Sequence, residues 1–465
     1  MLEVLMIVAL GAAELDPPAF YAGNDELRAY ITEAVQNNPE ILARHSEWLA
    51  ALERIPQVTL DNPMFSLTSF LQSDEERFRL ELEQEFPWFS TLKAQRGRAA
   101  AEARAALARA YAARNATIAA VKTAYFDLAL VAQQAALVES QTEIYKFIES
   151  TSLSRYSLGL ARQEDVYRVQ VAKAQLEDKH TDFLEMRPTF EANLLQALGR
   201  SGVAGEIPAP QPVPLPPPPP PAPVVLAQVA TANPELTAAG EVISAREYDI
   251  TLARKTGYPD FSLGVGYGKM KDPPGEDFKR MALVNTGFAL AKDAPTRGVM
   301  PVLSDVGWDL AKERVLMKDM DMKDDLMVML RVSLPIQRGR VRAATQEAGL
   351  MQRAAEQEKA ATGLSLTSAA RMALYNYQAA QRQYNLYQDV LLPQSQRIYE
   401  NLQTGYGLGE MADFVDLIES VNNMLEFQLE QARATRNLHA AAAELERLMG
   451  GPWTNNTSEL PTSPE

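Results

Sequence analysis

Four strands and two long helical hairpins, arranged as a duplicated unit, make this sequence predict a mixed α and β membrane protein with four membrane-crossing strands per chain. Three observations lead there. Asn38-Pro39-Glu40-Ile41-Leu42 and Asn233-Pro234-Glu235-Leu236 open two similar stretches, which reach Phe65-Ser66-Leu67 and Phe261-Ser262-Leu263. Each stretch runs on through alternating apolar and polar residues into a very long tract rich in Ala, Gln, Glu and Arg. Each tract is interrupted once by Tyr-x-Leu-Gly, at Tyr156–Gly159 and at Tyr406–Gly409. Self-similarity over this length marks a pseudo-symmetric architecture.

The boundaries follow from that repeat. Residues 1–24 form an N-terminal extension, and Leu2 to Ala13, apolar but short and carrying Glu3, reads as a signal remnant or a disordered start. The first repeat covers 25–203, with a strand hairpin at about 63–87 and a helical hairpin at about 90–199. A proline-rich linker covers 204–230. The second repeat covers 231–450, with strands at about 260–270 and 326–336 and a helical hairpin at about 338–450, and a flexible tail covers 451–465.

Composition narrows the function classes. The net charge is −15, and no basic run or aromatic-interleaved basic patch offers a nucleic-acid surface. The absence of cysteine excludes structural disulfides, thiol catalysis and an acylated N-terminal cysteine. Only three histidines occur, His45, His180 and His439, without metal-ligand spacing. No carboxylate pair stands out as a buried acid and base, so the chain is read as no enzyme and as needing no cofactor.

The strands are read from period-two patterning, which sends alternate side chains to opposite faces. Phe78, Leu80, Leu82 and Phe86 alternate with Arg77, Arg79, Glu81, Glu83 and Glu85, and Ser73-Asp74-Glu75 turns this strand back on Phe65 to Leu71. The second copy repeats the pattern with Phe261, Leu263, Val265 and Tyr267, and its return strand runs from Leu326 to Ile336. A soluble sheet with one wet face explains this alternation equally well. Strands of about ten residues with one apolar face also suit a membrane wall, where a lipid-facing charge costs about 2–4 kcal/mol. In that reading Arg79, Glu81, Glu83 and Arg331 line water, and Trp88, Phe89, Tyr258 and Phe261 mark one membrane interface. Four strands cannot close a barrel, so the wall is shared between chains; two chains and three chains are both open.

Between the second pair of strands, Lys271 to Asp325 forms a long excursion. Its methionines Met317, Met320 and Met322 are candidates for a soft metal, although no His or Cys accompanies them. A loop with adaptable apolar packing is the plainer reading.

The helical tracts are proline-poor and built of strong helix formers. Lys93 to Ser152 forms one outward helix and Arg340 to Thr404 the other, with a break at Pro393. Return helices cover about Glu164–Leu198, kinked at Pro188, and Asp413–Met449. Gly159 and Gly409 permit the left-handed backbone that ends a helix. Leu158 and Leu408 are then capping contacts or docking knobs. Asp413 and Asp416 share one helical face, with Asp165 in the related place. Solvated helix-start acids explain them, and around an axis they also make a carboxylate ring.

In their order and duplication these motifs resemble the TolC-type outer-membrane efflux channels, and more narrowly their heavy-metal efflux branch, which is associated with resistance-nodulation-division pumps. The resemblance covers nearly the whole chain. It rests on both Asn-Pro-Glu openings, both Phe-Ser-Leu strands, and Leu334-Pro335-Ile336 leading to Arg338-Gly339-Arg340. Both Tyr-x-Leu-Gly steps and the copy endings Leu198-Gly199 and Met449-Gly450 complete it. It implies a homotrimer whose strands form a twelve-stranded outer-membrane β-barrel, continued by a long periplasmic α-helical barrel. The implied role is the passive exit duct of a tripartite pump, conducting metal ions or small toxic compounds across the outer membrane of a Gram-negative cell. Its partners would be outer-membrane lipid, a periplasmic adaptor (membrane fusion) protein and an inner-membrane transporter. By the same resemblance Tyr156, Leu158, Gly159, Leu160, Tyr406, Leu408 and Gly409 are adaptor-docking tips, and Asp413 and Asp416 form an acidic gate. The polyproline run Pro216 to Pro221 and the excursion after Lys271 depart from the family pattern. A soluble or periplasmic helical scaffold or adaptor, and a type I secretion outer-membrane channel, are the alternatives.

Overall fold

The first copy opens with two short helices, α1 (Asp25–Asn37) and α2 (Pro39–Gln57), followed by strands β1 (Met64–Ser69) and β2 (Glu76–Phe86). Two long helices complete it, α3 (Thr91–Ser157) and α4 (Gln163–Leu198). The second copy repeats the order with α5 (Ala222–Ala232), α6 (Pro234–Lys255), β3 (Asp260–Met270), β4 (Asp325–Ser333), α7 (Arg338–Leu386), α8 (Leu392–Leu408) and α9 (Phe414–Met449). The computed structural model describes residues 24–71, 76–201, 207–270, 325–408 and 414–453. The turn at 73–75, the excursion from 271 to 324 with its methionines, Gly409 and Asp413 lie outside the described residues.

The Asn-Pro-Glu motif has a direct physical reading. Asn38 and Asn233 are helix N-caps, with proline at the first helical position, where its missing N–H costs nothing, and glutamate next, near the positive end of the helix dipole. The Asn38 Oδ1 accepts from the Glu40 N–H at 2.9 Å, and Asn233 Oδ1 accepts from the Glu235 N–H at 2.8 Å. The other end of each carboxamide reaches the C-terminus of the copy's last helix. Asn38 Nδ2 donates to the Ala197 carbonyl and Asn233 Nδ2 to the Leu448 carbonyl, both at 2.9 Å. Those carbonyls belong to the last turn of a helix, where no intrahelical donor exists.

The ends of α4 and α9 are shaped for this clasp. Gly199 and Gly450 take left-handed φ values of 75° and 83°. The following residues reach back as in a Schellman motif, Arg200 N–H to Leu195 O and Gly451 N–H to Glu446 O, each at 3.0 Å. A side chain would also have no room: a Cβ on Gly199 would lie 2.8 Å from Pro39 Cδ, and one on Gly450 would lie 2.6 Å from the Ala232 carbonyl oxygen.

Two units are distinguishable. The helical unit comprises Met1–Ile55, Arg98–Glu247 and Leu350–Glu465. In it, Leu27 and Ile31 of α1 pack with Val121, Tyr125, Leu194 and Leu198, while Val225 and Val229 of α5 pack with Leu374, Tyr377, Leu445 and Leu448. The two cores are thus built on the same plan. A third core joins both copies through Val138, Tyr145, Val169, Leu417, Val421 and Leu425. The Pro-rich connector crosses this unit in extended form. It is rich in carbonyl acceptors and poor in donors, and each copy supplies a tyrosine to it: Tyr125 Oη bonds Gln211 O, and Tyr377 Oη bonds Pro216 O and Pro217 O, all at 3.1 Å. Burial pushes the Tyr125 hydroxyl up to about 12, so it remains a donor at any ordinary pH.

Neither Pro188 nor Pro393 breaks its helix. α4 continues across Pro188. Ahead of Pro393, Tyr387–Leu391 widens into a π-helical turn, with the Leu392 N–H bonded to Tyr387 O. The expected break becomes a local change of pitch, because a π-turn accommodates a helix that has lost one donor.

The second unit, Pro56–Gly97 and Tyr248–Gly349, carries the sheet. Its strands are antiparallel in the order β1-β2-β3-β4. Register aligns Phe65, Leu82, Val265 and Val328 in one row and Leu67, Leu80, Tyr267 and Leu326 in the next. Most of this apolar face is exposed.

The predicted fold class is corrected by these findings. Helices account for 76% of the described residues, and the strands form a single unclosed sheet in place of a twelve-stranded barrel wall. β1 has six residues, short of the about 9–11 that a membrane-crossing strand takes, while β2 and β3 have eleven and β4 nine. β4 stops at Ser333, two residues before Pro335, instead of reaching Ile336. The alternation fixed which side of each strand is apolar; it carried no information on closure. No helix among the described residues is long and apolar enough to cross a membrane.

Replacing Asn233, 1% exposed, by alanine orphans a carbonyl and an N–H at once. We expect the Asn233→Ala change to lower unfolding stability by about 2 kcal/mol, and Asn233→Ser, which keeps a capping acceptor without the amide donor, by about half as much. Urea melts read both; full wild-type stability in the variant that keeps only the acceptor would show that the amide donor is idle.

Candidate functional site

The first helical tip is set by the end of α3. Leu160 N–H bonds Arg155 O at 2.8 Å, and Gly159 N–H bonds Tyr156 O at 3.0 Å. Gly159 takes φ 73° with no atom near its absent Cβ. The glycine is therefore there for backbone direction, not for space. The turn leaves Leu158 73% and Leu160 65% exposed, with Tyr156 also exposed. Asp165 is a capping residue: its Oδ2 accepts from the Arg162 N–H at 3.2 Å.

The residues leading to the second tip pack differently. Tyr406, grouped with Tyr156 by the repeated motif, is only 7% exposed. The Arg155 guanidinium lies over its ring at 4.3 Å, and Arg155 Nη1 donates to the Tyr406 carbonyl. Phe414 packs against the same ring at 5.5 Å, and Ser152 Oγ lies 3.5 Å from the Tyr406 hydroxyl. Leu408 is the last residue of α8. Asp416 sits exposed in the first turn of α9, favourably placed at a helix N-terminus; its pairing with Asp413 falls outside the described residues.

Below the tips, α3 is bonded to its neighbours at intervals. Tyr145 Oη donates to Asn422 Oδ1 at 2.8 Å, Gln141 Nε2 to Val421 O at 2.6 Å, and Lys173 pairs with Glu149 at 2.9 Å. Burial pushes the Tyr145 hydroxyl up to about 12. Arg155 carried no signal in the sequence, because its partner is 251 residues away.

On the sheet, the structure brings Arg79, Glu81, Glu83 and Arg331 to the face opposite the apolar rows. Glu83 Oε1 accepts from Ser262 Oγ and Arg331 Nη1, each at 2.6 Å. Arg79 stands 3.9 Å from Glu81, which also accepts from Ser66 Oγ at 3.3 Å. Gly264 and Gly266 lie opposite Glu83 and Glu81, so these long side chains have room to lie across β3. The four predicted aromatics also meet. Trp88 stacks on Tyr258 at 5.0 Å and on Phe261 at 5.9 Å, with Phe89 edge-on at 5.5 Å. Met317, Met320 and Met322 are outside the described residues; among those described, no group of three or more His, Cys, Asp or Glu is placed to hold a metal.

Residues 225–451 match the family model for outer membrane efflux protein. Among solved structures, the outer membrane protein VceC from Vibrio cholerae is 17% identical at a TM-score of 0.71, covering 93% of this chain and 98% of that one. The CmeC outer membrane channel of Campylobacter jejuni is 14% identical at 0.66, covering 93% and 87%. The open state of the Neisseria gonorrhoeae MtrE outer membrane channel is 16% identical at 0.66, covering 91% and 89%. No curated protein matches the chain in sequence. At these identities the structural likeness is one of fold. The family match to residues 225–451 and the likeness of fold point the same way, to the outer membrane efflux proteins. They do not single out the metal-efflux branch.

The Arg155–Tyr406 contact should hold the end of α8 in place. Arg155→Ala is expected to speed amide exchange over residues 400–408, and Arg155→Lys should restore it only in part, since an ammonium lacks the planar fork. Hydrogen exchange read by mass spectrometry checks this; protection unchanged in Arg155→Ala would remove the contact's role.

Proposed function

We propose that this chain is the subunit of a homotrimeric, passive exit duct that works with a periplasmic adaptor and an inner-membrane transporter. It conducts metal ions or small toxic compounds and performs no bond chemistry itself. The observation that carries this reading is the first helical tip, where Leu158 and Leu160 stand exposed on a glycine-set turn. Exposed leucines at the end of a helical hairpin suit docking into a complementary apolar groove. The buried Tyr406 has a different part: with Arg155 it fixes how the second hairpin meets the first. The exposed apolar face of the sheet supports contact with outer-membrane lipid. Asp413 and Asp416, repeated around a threefold axis, form an acidic constriction that favours cations.

A charge placed at the tip tests the docking role. Leu158→Asp with Leu160→Asp should weaken cross-linking to the adaptor about tenfold, the loss of one good apolar anchor. Export-dependent resistance should fall in parallel while the amount of protein in the outer membrane holds. Cross-linking at the wild-type level would exclude the tip as the docking surface. Asp413→Ala with Asp416→Ala should move the reversal potential across a salt gradient toward zero; an unchanged potential would remove both from the constriction.

A further inference from the structure

Conduction leaves one feature of the helical unit unused. A cavity of about 410 Å³ lies there, within the size range of small-molecule sites. Phe126 and Leu130 of α3, Thr435, Arg436 and His439 of α9, and connector residues 210–213 line it. The connector wall is pinned, since Gln211 O bonds the Tyr125 hydroxyl and the Gln211 N–H donates to Glu26 Oε2 at 3.2 Å. The site is preformed.

His439 is the unusual member. It is 4% exposed, and its ring lies nearly parallel to Phe126 at a centroid distance of 3.9 Å. Neither ring nitrogen bonds to another of the described residues. Burial, reinforced by the Lys122 charge, lowers its pKa to about 4, so at neutral pH one ring nitrogen is a free acceptor. The charges nearby are already satisfied: Lys122 pairs with Glu446, and Arg436 with Asp127 and, at 3.2 Å, with Asn437 Oδ1. A ligand here gains nothing from carrying charge. The prolyl rings at 210 and 212, with Leu130 and Phe126, favour a flat apolar body.

We propose that this cavity binds a neutral, planar aromatic molecule bearing a hydroxyl group, a phenol, whose O–H donates to the free ring nitrogen of His439. This site is independent of the conduction role. The test uses the purified full-length protein in detergent, with phenol and its methyl ether anisole as probes, titrated by ligand-observed NMR. Phenol should bind about tenfold more tightly than anisole, because a site with an unpaired polar group discriminates against an analogue that cannot pair with it. His439→Phe, which keeps the stack on Phe126, should abolish that preference, and Ala132→Leu, a change at another lining residue that fills the cavity and leaves His439 intact, should weaken both probes. Equal affinity of the wild type for phenol and anisole, no binding of either, or phenol binding unaffected by Ala132→Leu would each overturn the proposal. The first and third readouts stand even if His439→Phe does not fold.

Discussion

A carboxamide can accept with its oxygen and donate with its nitrogen at the same moment, and both helical repeats close on that property. The Asn38 and Asn233 oxygens start a helix, and their nitrogens finish another one far along the chain. A long helix leaves orphan donors at one end and orphan acceptors at the other, and burying either without a partner is costly. Joining the two ends through one side chain settles both. The glycines at 199 and 450 follow from this, because only a residue without a Cβ fits against the opposing helix junction, Asn37–Pro39 in one copy and Ala232 in the other.

Much of the helical unit hangs on that closure. It fixes where α1 and α5 lie, and these cover the apolar stripes of the long helices in two cores of the same plan. The connector between the copies then crosses as an acceptor-rich strip held by Tyr125 and Tyr377. Lys122 and Glu446 show the cost of joining the copies: both are buried, and burial lowers the lysine's pKa and raises the glutamate's. Such a pair specifies which helices meet more than it stabilises the meeting.

The sequence was legible where local physics decides the outcome. Period-two alternation located β2 and β3, and the Leu-Gly step located the first tip. Asn-Pro-Glu was visible as a repeat, yet its chemistry was not, because the acceptor for each side-chain amide lies at the other end of the copy. Tyr406 looked equivalent to Tyr156 and is instead buried under Arg155, a contact that no local pattern encodes. Pro393 suggested a break that a π-turn absorbs. The fold class went wrong for a related reason: an apolar face shows that something covers it, while closure depends on strand length and edges that alternation does not report.

The proposed function rests on a division of surfaces. Apolar side chains stand out at one tip and on one face of the sheet, whereas charges gather on the other face in a bonded cluster around Glu83. That division suits a duct through which solutes pass beside polar groups and which meets lipid and protein through apolar ones. Single-channel recording of the purified full-length protein in a planar bilayer tests this most directly. The account predicts discrete, steady current steps without any added energy source; a protein that remains a soluble monomer and never carries current would contradict it.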